Sequence, residues 1–239
     1  MLILAILASG LSVPLASQVA MRRHEDTRRT LDEAREAILG FAAANGRLPC
    51  PATASSRGQE SFAPGSDSRD GNCSSFHDGF LPAASIGLSP LDGEGFMRDG
   101  WGSQAGRVRY AVFGAGLAVG GVVNPLTRAN GMRQATLAEL GDAPGFLVIC
   151  AVGLSAGPSG CGPAANQLTR RAAFVLLSLG PNATDRPDPG TDEHRNLDGD
   201  GVFVSHEITA TPGNEFDDYL IWVPVNILAS RMIAAGRLP

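Results

Sequence analysis

The sequence predicts an α+β fold in which one long N-terminal helix lies on a mainly antiparallel sheet, and three observations carry that expectation. A helical pattern runs through the first forty-five residues, from "MLILAILASGLSVPLASQVAM" into "RRHEDTRRTLDEAREAILGFAAA". Behind it come short β-like runs separated by turn residues, with no alternating helical crossovers. Thirty Gly and sixteen Pro against 6% aromatics set many turns around a modest core.

At 239 residues and 44% hydrophobic content, the chain can bury one good core, or one domain plus an anchoring segment. The net charge of −5 gives no reason to expect nucleic acid as a partner.

Residues 1–21 carry no charge and are followed at once by Arg22 and Arg23. At about 1.5 Å per residue they span roughly 30 Å, the thickness of a bilayer core, so an uncleaved anchor is expected. The alternative is a cleaved signal peptide, but no basic region precedes the run and no good small-x-small site ends it. By charge alone the two arginines favour the following side as cytoplasmic. That conflicts with the disulfides expected beyond them, and a basic leader upstream of Met1 would remove the conflict.

Residues 22–45 continue the helix as an amphipathic half, with Leu31, Ala34, Ile38 and Phe41 recurring at spacings of three and four. Glu25 with Arg29 and Arg28 with Asp32 are i,i+4 pairs on its wet side. Asn45-Gly46 supplies a left-handed cap and Pro49 forbids resumption, giving one helix about 65 Å long. Gly10 and Pro14 interrupt its apolar half, which suits a helix that bends or packs against copies of itself.

Residues 51–80 have no periodicity and read as a long loop that something must pin. The four cysteines fall into two close pairs, Cys50 with Cys73 and Cys150 with Cys161. Neither pair has zinc-site spacing, so two disulfides in an extracytoplasmic compartment are expected. Strands are expected at 107–113, 145–153, 171–180, 201–205 and 218–225, and a closing helix from Asn226.

Three segments invite chemistry. "NLDGDGVFVSHE" places Asn196, Asp198, Asp200, Gly201 and Glu207 at calcium-loop spacing, and Asp217 and Asp218 stand near enough to complete an oxygen shell for Ca2+. No helical pattern flanks the loop, so an acidic turn before a strand is the competing reading. "GLSAG" (153–157) matches G-x-S-x-G, and Ser155 with His206 would give hydrolase order, yet the "GPSGCG" that follows cannot supply the required helix. "GAGLAVGG" (114–121) lacks dinucleotide-site spacing.

Taken in order, "REAILGFAAANGRLPCPA", "DGWGSQAGRVRYAV", "LLSLGPN", "LDGDGVFV" and "FDDYLIWVPVNILASRMIAAGRLP" resemble the prepilin-type proteins of type II secretion and type IV pili, pseudopilin-like members above all. The resemblance implies a pilin-like fold and a non-catalytic subunit. Such a subunit is held in the inner membrane with its head in the periplasm or in an extracellular fibre. It would assemble with copies of itself or other pilin-like subunits through its N-terminal helix, with a calcium loop in some members. Family precursors carry a basic leader, a Gly-Phe-Thr-Leu-like cleavage site and a Glu; this sequence starts past that point, so no residue takes the processing role. The expected organisation is 1–21 as membrane and fibre-core helix, 22–45 as its amphipathic continuation and 46–239 as an α+β head. Two rivals remain open: a membrane-anchored periplasmic hydrolase using Ser155 and His206, and a calcium-dependent binding head that does not assemble.

Overall fold

A computed structural model describes residues 2–143, 145–153, 160–185 and 187–238, with the main chain alone for 2–15, 137 and 142. Helix α1 runs unbroken over Leu2–Asn45. Thr27, Leu31, Ala34, Ile38 and Ala42 are buried at spacings of four and three, with Leu39 beside them, so one stripe of the second half faces the core. Phe41, expected on that stripe, is half-buried instead and lies under the Arg47 guanidinium at 5.2 Å. On the wet face Arg29 pairs with Asp26 at 2.9 Å and Glu33 at 3.8 Å, and Arg35 with Asp32 at 3.0 Å; the long side chains choose these over the expected Glu25 and Arg28. Gly46 ends the helix at φ +72°, its N–H donating to the Ala42 carbonyl at 2.8 Å. The carbonyls left over near that end accept from Arg237, at Ala43 (2.8 Å) and Ala44, so the C-terminal "GRLP" caps the helix that an identical "GRLP" terminates.

The span expected over 1–21 falls mostly on residues whose side chains lie outside the description. Among the described residues, no helix is long and apolar enough to cross a membrane.

Both expected disulfides are present, Cys50–Cys73 and Cys150–Cys161, each with Cα atoms 5.3 Å apart. The loop after α1 is pinned by more than its disulfide. Arg47 makes two hydrogen bonds to Glu60, at 2.8 and 2.7 Å, and Glu60 also accepts the Cys50 N–H at 3.2 Å.

The strands are β1 (Gly79–Phe80), β2 (Arg109–Val112), the hairpin β3 (Ala118–Val119) and β4 (Val122–Val123), β5 (Leu147–Cys150), β6 (Gln167–Ser178), β7 (Val202–Val204) and β8 (Tyr219–Pro224). Short helices α2 (Gly131–Gln134) and α3 (Leu137–Asp142) precede β5, α4 (Asp192–Arg195) precedes β7, and α5 (Val225–Ala234) closes the chain. The five expected strands all appear. β6 starts earlier than its apolar run because the polar Gln167 and Thr169 still pair with Cys150 and Ile149 of β5.

β6 organises the sheet. Phe174–Leu177 pair with both β2 and β8, and Ala172 with both β5 and β8, so β2 and β5 divide one edge of β6 and β8 takes the other. β1 extends β2 antiparallel, and β7 extends β5 in parallel, the one parallel pairing among the described strands. The result is a curled mixed sheet, mainly antiparallel, with α1 and α5 packed on one side: Leu31, Ala34 and Ile38 share a core with Phe174, Leu176, Val223, Leu228 and Met232.

Candidate metal centre

The acidic dipeptide Asp217-Asp218 leads directly into β8, and the single-turn α4 faces it. Thr191 caps α4 by accepting the His194 N–H at 3.3 Å, which aims Glu193, in the first turn, at the start of β8. Carboxylate oxygens of Glu193, Asp217 and Asp218 lie within 4.8 Å of one another. Glu193 and Asp218 are buried and Asp217 is half-buried.

The surrounding donors hold this arrangement from behind. The Asn182 Nδ2 donates to both Glu193 oxygens at 3.2 and 3.1 Å, and the Asp217 N–H donates to Glu193 Oε1 at 2.8 Å. Asn196 is a bracket: its Nδ2 donates to Asp218 Oδ2 at 2.7 Å and to the Val204 carbonyl at 3.1 Å, and its Oδ1 accepts the Val204 N–H at 2.7 Å. Gly180, at φ +68°, allows the chain to pass under Asp217; a Cβ there would lie 2.4 Å from both the carbonyl oxygen and Oδ1 of Asp217. That Oδ1 is enclosed and has no hydrogen-bond partner among the described residues.

Burial, then the negative charge of Glu193, push the Asp217 carboxyl up to about 7. Burial likewise pushes Asp218 well above the carboxylate range, against the donation from Asn196. Asp217 and Asp218 therefore stand beside Glu193 in a site that disfavours their own ionised forms. A cation relieves that repulsion without protons. The ligands are all oxygen, with neither sulfur nor imidazole, which suits a hard ion. A cleft of about 610 Å³ opens beside the group, and Asp185, Asp188 and Glu215 stand with Glu193 and Asp217 in its wall. Its carboxylates favour entry of cations.

Of the residues singled out in the sequence, Asp217 and Asp218 join this group, and Asn196 orients Asp218. Asp198 and Asp200 are placed elsewhere. The Arg195 guanidinium binds Asp198 Oδ2 at 2.8 Å and approaches Asp200 Oδ2 at 3.5 Å, while Asp198 Oδ1 accepts the Asp200 N–H at 3.1 Å and Asp200 Oδ1 the Val202 N–H at 2.7 Å. Glu207 is exposed and its carboxylate is outside the group. Loop spacing misses Glu193, because the template begins three residues later at Asn196. The local signal for it is the Thr191 cap followed by acids in the first turn.

Ser155 lies outside the described residues. His206 is engaged at both ring nitrogens, facing Asp192 Oδ2 at 3.1 Å and the Glu207 carbonyl at 2.7 Å. Asp192 in turn accepts the Gly153 N–H at 2.6 Å and Asn214 Nδ2 at 3.0 Å, tying the end of β5 to the loop before β8. The pair reads as a bracket between loops.

Comparison with protein-family models, with curated proteins and with solved structures finds no match to this chain.

Proposed function

We propose that this chain is a non-catalytic subunit of a pilin-like fibre, a pseudopilin or minor pilin of a type II secretion or type IV pilus-like system, and that its acidic centre holds Ca2+. The observation that carries the first part is the division of α1. The helix is continuous over Leu2–Asn45, yet its first buried side chain among those described is Thr27, and Val19 and Met21 before it are 41% and 62% exposed. A helix that runs on past its own head, with an uncharged sequence and a small-residue content suited to close packing, is built to be covered by something else. Copies of the same helix, or those of related subunits, supply that cover in a fibre.

Calcium is favoured by the all-oxygen ligand set and by the two disulfides, which belong to a compartment outside the cytoplasm. In this reading the ion has no catalytic task; it joins α4 to the root of β8 and so rigidifies the head.

Assembly is tested with the full chain carrying Val19→Cys, in detergent and in membranes. Oxidation is expected to link subunits through that position. A chain that stays monomeric under both conditions, with no such link, refutes the fibre reading.

A further inference from the structure

We infer that the corner where α1 leaves the head, built from Arg22, Arg23, His24, Trp101 and Tyr219, seats in the headgroup layer of a phospholipid bilayer. The inference rests on the reading of residues 1–21 as an anchor and assigns the part of the head that meets the lipid.

The distances decide it. Met21 ends the uncharged run, and His24 follows three residues later, about 4.5 Å along the helix axis. The Trp101 ring stands 5.1 Å from the His24 ring, edge-on, with the Arg23 guanidinium 5.5 Å from the indole. The headgroup layer beyond the hydrocarbon is about 5–8 Å thick, so His24 stands within it by its rise along the helix, and the Trp101 ring packs against His24.

Trp101 is held at this height by the main chain. The Gly100 N–H donates to Thr27 Oγ1 at 3.1 Å, and Thr27 Oγ1 donates to the Arg23 carbonyl at 2.8 Å. A Cβ on Gly100 would come within 2.3 Å of that same carbonyl, so the loop touches the helix backbone where only glycine fits. Tyr219 closes the corner from β8, its hydroxyl meeting His24 Nδ1. Trp101 is half-exposed while its Nε1 is enclosed, so the ring rather than the N–H is its outward surface.

The chemistry fits a water–lipid boundary. Arginines directly after an apolar run reach phosphates, and indole rings concentrate at this depth. Asp185, Asp188 and Glu215 line the cleft that His24 also borders, so the face is basic only on the Arg22 and Arg23 side. Anchoring depends on the apolar run; the corner sets the depth of the head.

The chain has two tryptophans, so Trp222→Phe leaves Trp101 as the sole indole. The full-length variant is reconstituted into vesicles of phosphatidylcholine, with or without phosphatidylglycerol. Flotation reports anchoring. Lipids brominated near the headgroup end of the acyl chain are expected to quench Trp101 by about twofold, and lipids brominated near the chain end far less. Flotation without shallow quenching overturns the inference and leaves the anchor standing. Failure to float overturns both. Should Trp222→Phe perturb folding, the quenching lost between the unsubstituted chain and Trp101→Phe gives the same quantity by difference.

Discussion

Asp217→Asn, followed by thermal unfolding between pH 4 and 8, reads the electrostatic cost of the acidic centre directly. The Asp217 carboxyl rises from its ordinary 3.8 to about 7, chiefly through burial and the neighbouring Glu193 charge. Between those values the folded chain holds more protons than the unfolded chain, so stability falls as pH rises and the full penalty is present above pH 7. A shift of that size corresponds to about 4 kcal/mol, and screening at the exposed side of Asp217 reduces it to about 2 kcal/mol. For a chain of this length that is a fall of about 4–8 °C in Tm between pH 4 and 8 in chelator. Asp217→Asn should remove most of that fall, since the amide carries no charge to desolvate. Calcium at a hundredfold excess over its Kd should add about 2.7 kcal/mol at pH 7.5, because only the folded chain gathers the three carboxyls. The double variant Asp198→Ala/Asp200→Ala serves as the control, since those side chains are spent on Arg195. It should keep the calcium effect, whereas Asp217→Asn should lose most of it. A Tm with the same pH slope in the native chain and in Asp217→Asn would refute the repulsion argument. Indifference to calcium in the native chain would refute the metal centre, and loss of the effect in the double variant alone would move the ion to the loop at Asn196.

Asn196→Ala should cost about 1–3 kcal/mol, because it leaves the buried Asp218 carboxyl and the Val204 N–H without their partner; chemical denaturation measures it, and a change within about 0.5 kcal/mol would count against the bracket. Replacing Cys50 and Cys73 together by Ala should destabilise by about 3.5 kcal/mol, and Cys150 with Cys161 by about 3 kcal/mol, from the entropy of loops closed at sequence separations of 23 and 11. Non-reducing peptide maps should return those two links alone. Among the described residues, none of 16–21 is buried, so deleting residues 1–21 should leave a folded, monomeric head by gel filtration and circular dichroism; aggregation of the truncated chain would place the first segment inside the globular core.

Wherever neighbouring residues alone set the geometry, the sequence by itself determined the outcome. The stop of α1 at Gly46 follows from a left-handed glycine and a proline three residues on, and both disulfides follow from thiols close along the chain. The five main strands are visible as short β-like runs between turns, because a strand's burial is written into its own residues. What only the tertiary structure decided lies between segments. That β2 and β5 share one edge of β6, and that β7 joins β5 in parallel, depends on which backbone edges meet after collapse. The acidic loop shows the same limit from the side of chemistry. Spacing correctly marks a region crowded with oxygen ligands, but Arg195, one residue before the loop, takes Asp198 and Asp200, and the three carboxyls that converge include Glu193, hydrogen-bonded to Asp217 across 24 residues. Local spacing fixes which side chains share a turn; convergence of charges across α4 and β8 is set by packing, which gathers groups that lie apart in the unfolded chain and repel one another once together.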